Sequence, residues 1–283
     1  MKAMRLLVTG AAGMLGTDVV AAASGYDVVA LARADLDITD ADAVRAAVRD
    51  SQPDAVINCA AWTNVDAAET EEAQATRING DGAGHLAAAA AEVGAHIVHV
   101  STDYVFDGAA TTPYPEDAPT GPIGAYGRSK LAGEIAVAEA APDSYAIART
   151  AWLFGPHGKN FVDTMLRLAS ERDELKVVDD QVGCPTYAGH LAVALVEIAE
   201  RRLTGIHHTA GSGSCTWWDL AVATFERTGT EIKVNRGSTE ELGYPAPRPL
   251  YSVLGVTRDD TPRLPRWQDG LDAHLAATKE RVA

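Results

Sequence analysis

Short apolar runs alternate with helically spaced apolar positions through the first half of the chain. Leu6-Leu7-Val8 has the pattern of a buried strand, and Leu15, Val19 and Val20 then continue at helical spacing. Tyr26–Ala32 predicts a second strand. Val44 and Val48 mark the helix after it, with Thr39 and Asp42 spaced as a capping box at its start. Pro53–Trp62 predicts a third strand running into a loop of small residues. Asn79–Val93 predicts an alanine-rich helix, and His96–Ser101 a fourth strand. A loop rich in Pro, Gly and Thr follows, from Ala109 to Pro122, before helical pattern resumes at Ala125. Strands alternating with helices predict an α/β fold with a doubly wound parallel sheet of Rossmann type. Its crossovers bring the C-terminal ends of the strands to one edge, where ligands bind. After Gly155 the pattern changes, about Val182–Ala210 returns to the sheet, and from Gly211 onward short helices and Pro-rich loops mark a smaller C-terminal lobe. The expected division is a dinucleotide-binding unit of 1–150 plus about 182–210 and a substrate lobe of 151–181 plus about 211–283.

The turn between the first strand and its helix carries Gly10, Gly13 and Gly16, three residues apart. A strand turning sharply into a helix presents free N–H groups and a positive dipole end, a ready site for a pyrophosphate. Gly10 permits the tight turn, Gly13 lets phosphates approach the backbone, and Gly16 lets the helix pack on the strand. Met14 and Leu15 open that helix. At the end of the second strand, where this fold often holds the adenine ribose with an acid, stand Ala32 and Arg33. Arg33 offers a guanidinium to a 2′-phosphate, which favours NADPH over NADH while leaving NADH possible. Asp37 and Ile38 sit where an adenine edge would be contacted. The small residues around Ala61 leave room for a flat cofactor.

Composition narrows the range of partners. The chain has 283 residues, 47% of them apolar, and a formal charge of −15. That charge argues against a nucleic-acid partner, whose phosphates are met by basic surfaces. No apolar stretch approaches the ~20 residues that cross a bilayer, so no membrane is expected. Cys59, Cys184 and Cys215 are sparse and lack metal-ligand spacing, which suits a reducing, cytoplasmic setting. No metal is expected. Tyr244–Pro249 is a rigid loop whose Arg248 is a candidate for an anionic substrate group.

Tyr126 and Lys130 are one turn apart and share a helix face. A phenol ordinarily titrates near pH ~10. An ammonium one turn away is expected to draw that value down, so the tyrosine can exchange a proton with a carbonyl oxygen as hydride moves at carbon. Thr102, at the end of the fourth strand, can hold the same oxygen. With the glycine turn upstream, these residues predict a nicotinamide-dependent carbonyl/alcohol redox site.

Ser101-Thr102-Asp103-Tyr104-Val105-Phe106-Asp107-Gly108 and Asp180-Gln181-Val182-Gly183-Cys184-Pro185-Thr186, together with the glycine turn and Tyr126–Glu134, resemble the extended short-chain dehydrogenase/reductases. Within them the chain is similar to the dTDP-4-dehydrorhamnose reductase family. The resemblance implies reduction of a dTDP-sugar C4 carbonyl in a cytoplasmic oxidoreductase that admits a homodimer. It implies Tyr126 as proton donor, Lys130 as ribose ligand and Thr102 as tuning hydroxyl. Thr102, Asp103 and Trp152 would touch the sugar. Gly13-Met14-Leu15, Asp37-Ile38 and Ala61-Trp62-Thr63 would touch the cofactor. Three other readings share these motifs: a sugar 4,6-dehydratase or 4-epimerase, a 4-ketoreductase of another deoxysugar, and a non-catalytic regulatory subunit. Dehydratases place a second acid after the aspartate, where this chain has Tyr104.

Overall fold

The computed structural model describes residues 4–282. Its centre is a six-stranded sheet built from β1 (Arg5–Thr9), β2 (Asp27–Leu31), β3 (Ala55–Asn58), β4 (His96–Thr102), β5 (Tyr145–Thr150) and a last strand, Gly205–His208. The spatial order is the last strand, then β5, β4, β3, β1 and β2. Every pairing is parallel. The central strands are apolar on both faces because both faces are covered: Leu6, Leu7, Val8, Val56 and Ile57 have no exposed surface. Helix α1 (Met14–Ala22) and the helix Ala188–Arg201 cover one face. Helix α2 (Ala41–Ser51), the helix Gly82–Glu92 and the helix Ala125–Ala140 cover the other.

The strand order reverses between β1 and β3, which makes their C-terminal ends the switch point of the sheet. There the backbones come close. Gly10 has φ +66°, and a side chain on it would meet the Ala60 backbone at 2.7 Å. A Cβ on Gly16 would lie 2.1 Å from the Gly10 carbonyl oxygen, so α1 can start against the turn only because that position is glycine. Gly16→Ala is therefore expected to cost about 2–3 kcal/mol, since backbone must move to admit the methyl group. A urea titration reads this as a lowered midpoint at unchanged slope.

Two local expectations change. The cap of α2 is Asp40, whose carboxylate accepts from the Asp42 and Ala43 amides. Thr39 is instead tied back to Asp37, donating its hydroxyl at 2.8 Å, so an Asx-type turn takes the place of the expected capping box. The alanine-rich helix starts earlier, at Glu72, and passes through a π-helical turn, Arg77–Asp81, before continuing as Gly82–Glu92. That turn sets Asn79 inward. Its side chain accepts from the Trp62 amide at 2.8 Å and donates to Ser129 Oγ at 2.9 Å, linking the loop after β3 to the helix that carries Tyr126.

The remaining segments pack beyond the C-terminal edge of the sheet. Glu174–Val178 and Lys233–Gly237 form a separate parallel pair, covered by the helices Phe161–Glu171 and Trp217–Thr228. Thr216 and Asp219 form the capping box that starts the second of these helices.

Candidate active site

A crevice runs along the C-terminal edge of the sheet as two adjoining cavities of about 410 and 610 Å³ that share Gly13, Cys59, Ala60 and Ala61. The first lies over the end of β2. It is lined by Gly10, Arg33, Asp37, Ile38 and Trp62 from the sequence-predicted set, and by Gln74 and Arg77. The second holds Met14, Leu15, Gly16, Thr63, Thr102, Tyr126, Lys130 and Trp152, with Gly158 and Lys159 on its rim. Between them lies the start of α1, which has Gly13 as N-cap, no capping side chain and no acid in its first turn. Its first amides are thus free for an anion. A glycine cradle and a bare helix start between two adjoining cavities fit a dinucleotide.

Arg77 and Gln74 were not legible in the sequence as site residues: Gln74 lies on the helical turn before the π-helical segment, and Arg77 opens that segment. Arg77 also donates to Thr39 Oγ1 at 3.3 Å. Among the described residues, Asp103 and Arg248 line neither cavity. Asp103 is buried behind Thr102, which donates to its Oδ1 at 3.0 Å. Burial raises the Asp103 carboxyl to about 6. Arg248 forms an ion pair with Asp66 at 2.7 Å, while its Nη1 is buried without a partner.

Trp152 follows β5 with φ +48°, a conformation uncommon for a bulky residue. Its ring lies parallel to Trp217 with centroids 3.6 Å apart, and Trp217 Nε1 donates to Gln181 at 3.1 Å. A Cβ on Gly183 would strike the Trp152 ring at 2.4 Å, so glycine there is what lets the ring lie flat. Trp217 thus packs behind the Trp152 platform.

The electrostatics of the tyrosine run opposite to expectation. Burial, and then the nearby Asp103 charge, push the Tyr126 phenol up to about 12, against a lowering hydrogen bond with Thr102. Lys130 does not draw it down: its Nζ donates to the Val100 carbonyl at 2.7 Å and meets His99 Nε2 at 3.4 Å. Burial lowers Lys130 itself to about 8. Tyr126 is therefore a protonated phenol at neutral pH, the form required of a donor. The helix bearing it is anchored from outside. Its N-cap, Gly124, has no side chain, and Glu69 accepts from the Ala125 amide at 2.7 Å in its place. Nothing in the local sequence marks Glu69 for that task.

The sheet and the glycine turn are those of an NADP-binding oxidoreductase of the extended short-chain dehydrogenase/reductase class, and Thr102, Tyr126 and Lys130 line one of its cavities. Residues 4–280 match the family described as "RmlD substrate binding domain". The chain is 48% identical over 262 residues to a dTDP-4-dehydrorhamnose reductase of Streptomyces griseus, covering 90% of this chain and 86% of that one. It is 47% identical over 254 residues to a dTDP-4-keto-6-deoxy-D-glucose reductase of Streptomyces niveus, covering 89% and 88%. Among solved structures, a dTDP-4-dehydrorhamnose reductase from Bacillus anthracis in complex with NADP superimposes with a TM-score of 0.94 at 40% identity, covering 98% of this chain and 100% of that one. The chain belongs to the RmlD family.

Proposed function

We propose that the protein reduces the C4 carbonyl of dTDP-4-dehydro-L-rhamnose to give dTDP-L-rhamnose, using NADPH in preference to NADH. The observation that carries this reading is the meeting of Thr102, Tyr126 and Lys130 in one cavity, at the far end of a crevice from Arg33. NADPH, when bound, supplies the hydride. The chain supplies the rest. Thr102 and Tyr126 hydroxyls hold the carbonyl oxygen, and the Tyr126 proton passes to that oxygen as negative charge develops there. An alkoxide is a much stronger base than a phenolate, so a phenol near 12 gives its proton downhill. Lys130 holds the nicotinamide ribose. Trp152 supports the sugar ring, with Asp103 behind Thr102 fixing that hydroxyl. Arg248 binds the diphosphate by exchanging its Asp66 partner for phosphate oxygens.

In this reading 1–150 with about 182–210 serve the dinucleotide and 151–181 with about 211–283 serve the nucleotide-sugar. The unpaired cysteines support a cytoplasmic setting. Among the described residues no helix is long and apolar enough to cross a membrane, and no cluster of His, Cys, Asp and Glu is arranged to hold a metal.

The test is a turnover assay with dTDP-4-dehydro-L-rhamnose and, in parallel, dTDP-4-keto-6-deoxy-D-glucose, the substrate class suggested by the Streptomyces niveus relative. Loss of NADPH absorbance with dTDP-L-rhamnose as product supports the proposal. Faster turnover of the second sugar would replace the substrate and keep the chemistry. For the cofactor, Arg33→Ala is expected to weaken NADPH about tenfold and leave NADH nearly unchanged, because a surface-exposed guanidinium–phosphate contact contributes about 1–2 kcal/mol. Titrating each nucleotide against intrinsic tryptophan fluorescence measures both, and an unchanged NADPH affinity would sink the 2′-phosphate assignment.

A further inference from the structure

A buried polar chain runs behind the cavity lined by Tyr126 and Lys130. Thr9 at the end of β1 donates its hydroxyl to Asn58 Oδ1 at 2.8 Å, and the Ala60 amide donates to the same oxygen at 3.1 Å. Asn58 Nδ2 lies 2.9 Å from His99 Nδ1, and His99 Nε2 lies 3.4 Å from Lys130 Nζ. Thr9, Asn58 and His99 are each at most 1% exposed. Three neighbouring strands, β1, β3 and β4, thus contribute one residue each to a line that ends on the lysine head.

The direction of every hydrogen bond in this line follows from one group. A backbone N–H can only donate, so the Asn58 atom facing Ala60 must be the carbonyl oxygen. The other end of that amide is then NH₂, and it donates to His99 Nδ1. A neutral imidazole that accepts at Nδ1 carries its proton on Nε2. Burial, and then the charge of Lys130, hold the His99 pKa well below its ordinary value, so the ring is neutral. The result is an N–H group aimed at an ammonium, which has no lone pair to accept it.

We propose that His99 is a positioning residue for Lys130, fixed as its Nε2–H tautomer by Asn58, so that a buried N–H dipole turns the lysine head toward the Val100 carbonyl and the crevice. The imidazole closes off the sheet side of the lysine, and the Val100 carbonyl takes one ammonium proton at 2.7 Å. The remaining protons face the cavity, where the proposed ribose lies. Gly133, on the helix that carries Lys130, packs against the Asn79 carbonyl, which a Cβ would meet at 2.1 Å, and the same Cβ would sit 3.2 Å from His99 Nε2.

The same dipole disfavours the charged lysine. Other groups around Lys130 are few. Cys59 after β3 is a neutral thiol, pushed up to about 12 by burial. Tyr126, one turn back on the same helix, is a neutral phenol. Glu134, one turn on, favours the charged lysine but is committed to Arg149 at 2.7 Å and to Ser101 at 2.5 Å. Removing the His99 dipole therefore leaves the lysine charged to higher pH.

The first test needs no substrate. In protein labelled with ¹⁵N-histidine, with His99 assigned by difference against His99→Phe, the two-bond ¹⁵N–¹H pattern is expected to show a protonated Nε2 and a bare Nδ1 from pH 6 to 9. A proton on Nδ1, or a titration near the ordinary histidine value, would overturn the proposal whatever the enzyme's sugar substrate. The second test rests on the proposed reductase reading. In His99→Phe, the basic limb of kcat/KM for NADPH is expected to move up by about one pH unit, with KM for NADPH raised severalfold. Asn58→Asp, which demands a proton on Nδ1 and so turns the Nε2 lone pair toward Lys130, is expected to move the limb in the same direction while lowering that KM relative to His99→Phe. A fall in kcat at every pH alike, with the basic limb unmoved in both variants, would show that His99 only fills space.

Discussion

Tyr126→Phe is expected to lower kcat by about a thousandfold while leaving the affinity for NADPH within a factor of two. The change deletes one oxygen and keeps the ring that packs edge-on against Tyr104, with centroids 5.7 Å apart. The helix around it stays anchored through Glu69 and through Asn79. What disappears is a cavity-lining phenol that burial holds protonated. Thr102 remains to bind the carbonyl oxygen, so ground-state affinity for the sugar is expected to fall by less than tenfold while the chemical step stalls. Single-turnover NADPH oxidation separates the two effects. Parallel losses of turnover and nucleotide affinity would instead indicate damage to the fold. Residual turnover above a tenth of the parent rate would mean that another group donates the proton, with Asp103, raised to about 6, the first to test.

The largest expected effect on stability comes from Glu134→Ala, at about 3–5 kcal/mol. Glu134 is a buried carboxylate whose two oxygens receive Arg149 Nε at 2.9 Å and Nη2 at 2.7 Å, and its Oε1 also takes the Ser101 hydroxyl at 2.5 Å. Arg149 is 2% exposed and stands between Glu134 and the Glu116 carbonyl, with its guanidinium 5.1 Å from the Phe106 ring centre. Removing the carboxylate strands a guanidinium that cannot lose its charge and cannot reach water. A domain of this kind has total stability on the order of 5–15 kcal/mol, so the single variant is expected to sit near its unfolding threshold at 37 °C. The double variant Glu134→Leu/Arg149→Met removes both charges and is expected to recover more than half of the loss. Urea midpoints for the parent, both single variants and the double variant measure the coupling. If Glu134→Ala cost no more than a surface substitution, the pair would have to be solvated in solution, contrary to its burial.

Much of the site could be read from residues close together in sequence. Gly10, Gly13 and Gly16 announce a strand–turn–helix because each glycine answers a local steric demand, and the 2.1 Å approach at Gly16 shows how strict that demand is. The four early strands could be placed because a sheet covered on both faces needs continuous apolar runs, and Leu6-Leu7-Val8 and Val56-Ile57 supply them. Tyr126 and Lys130 could be paired because one helical turn sets their spacing.

Other features had no local signal. The Thr39 spacing suggested a cap, but the carboxylate of Asp40 competes for the same amides and is the better acceptor there. The tyrosine was expected to be acidified by its neighbour. Burial decided otherwise, since a phenolate loses more by leaving water than a lysine turned toward a backbone carbonyl returns to it. Glu69, the π-helical turn with Arg77 and Asn79, and His99 came to the site from three separate segments, which only the crossovers of the sheet bring together. Sequence by itself determined the elements, their order and the groups able to do chemistry, because these follow from periodicity, glycine sterics and side-chain type. Tertiary structure alone decided the protonation of Tyr126, the tautomer of His99 and the partner of Arg248, because desolvation and hydrogen-bond direction depend on atoms far away along the chain.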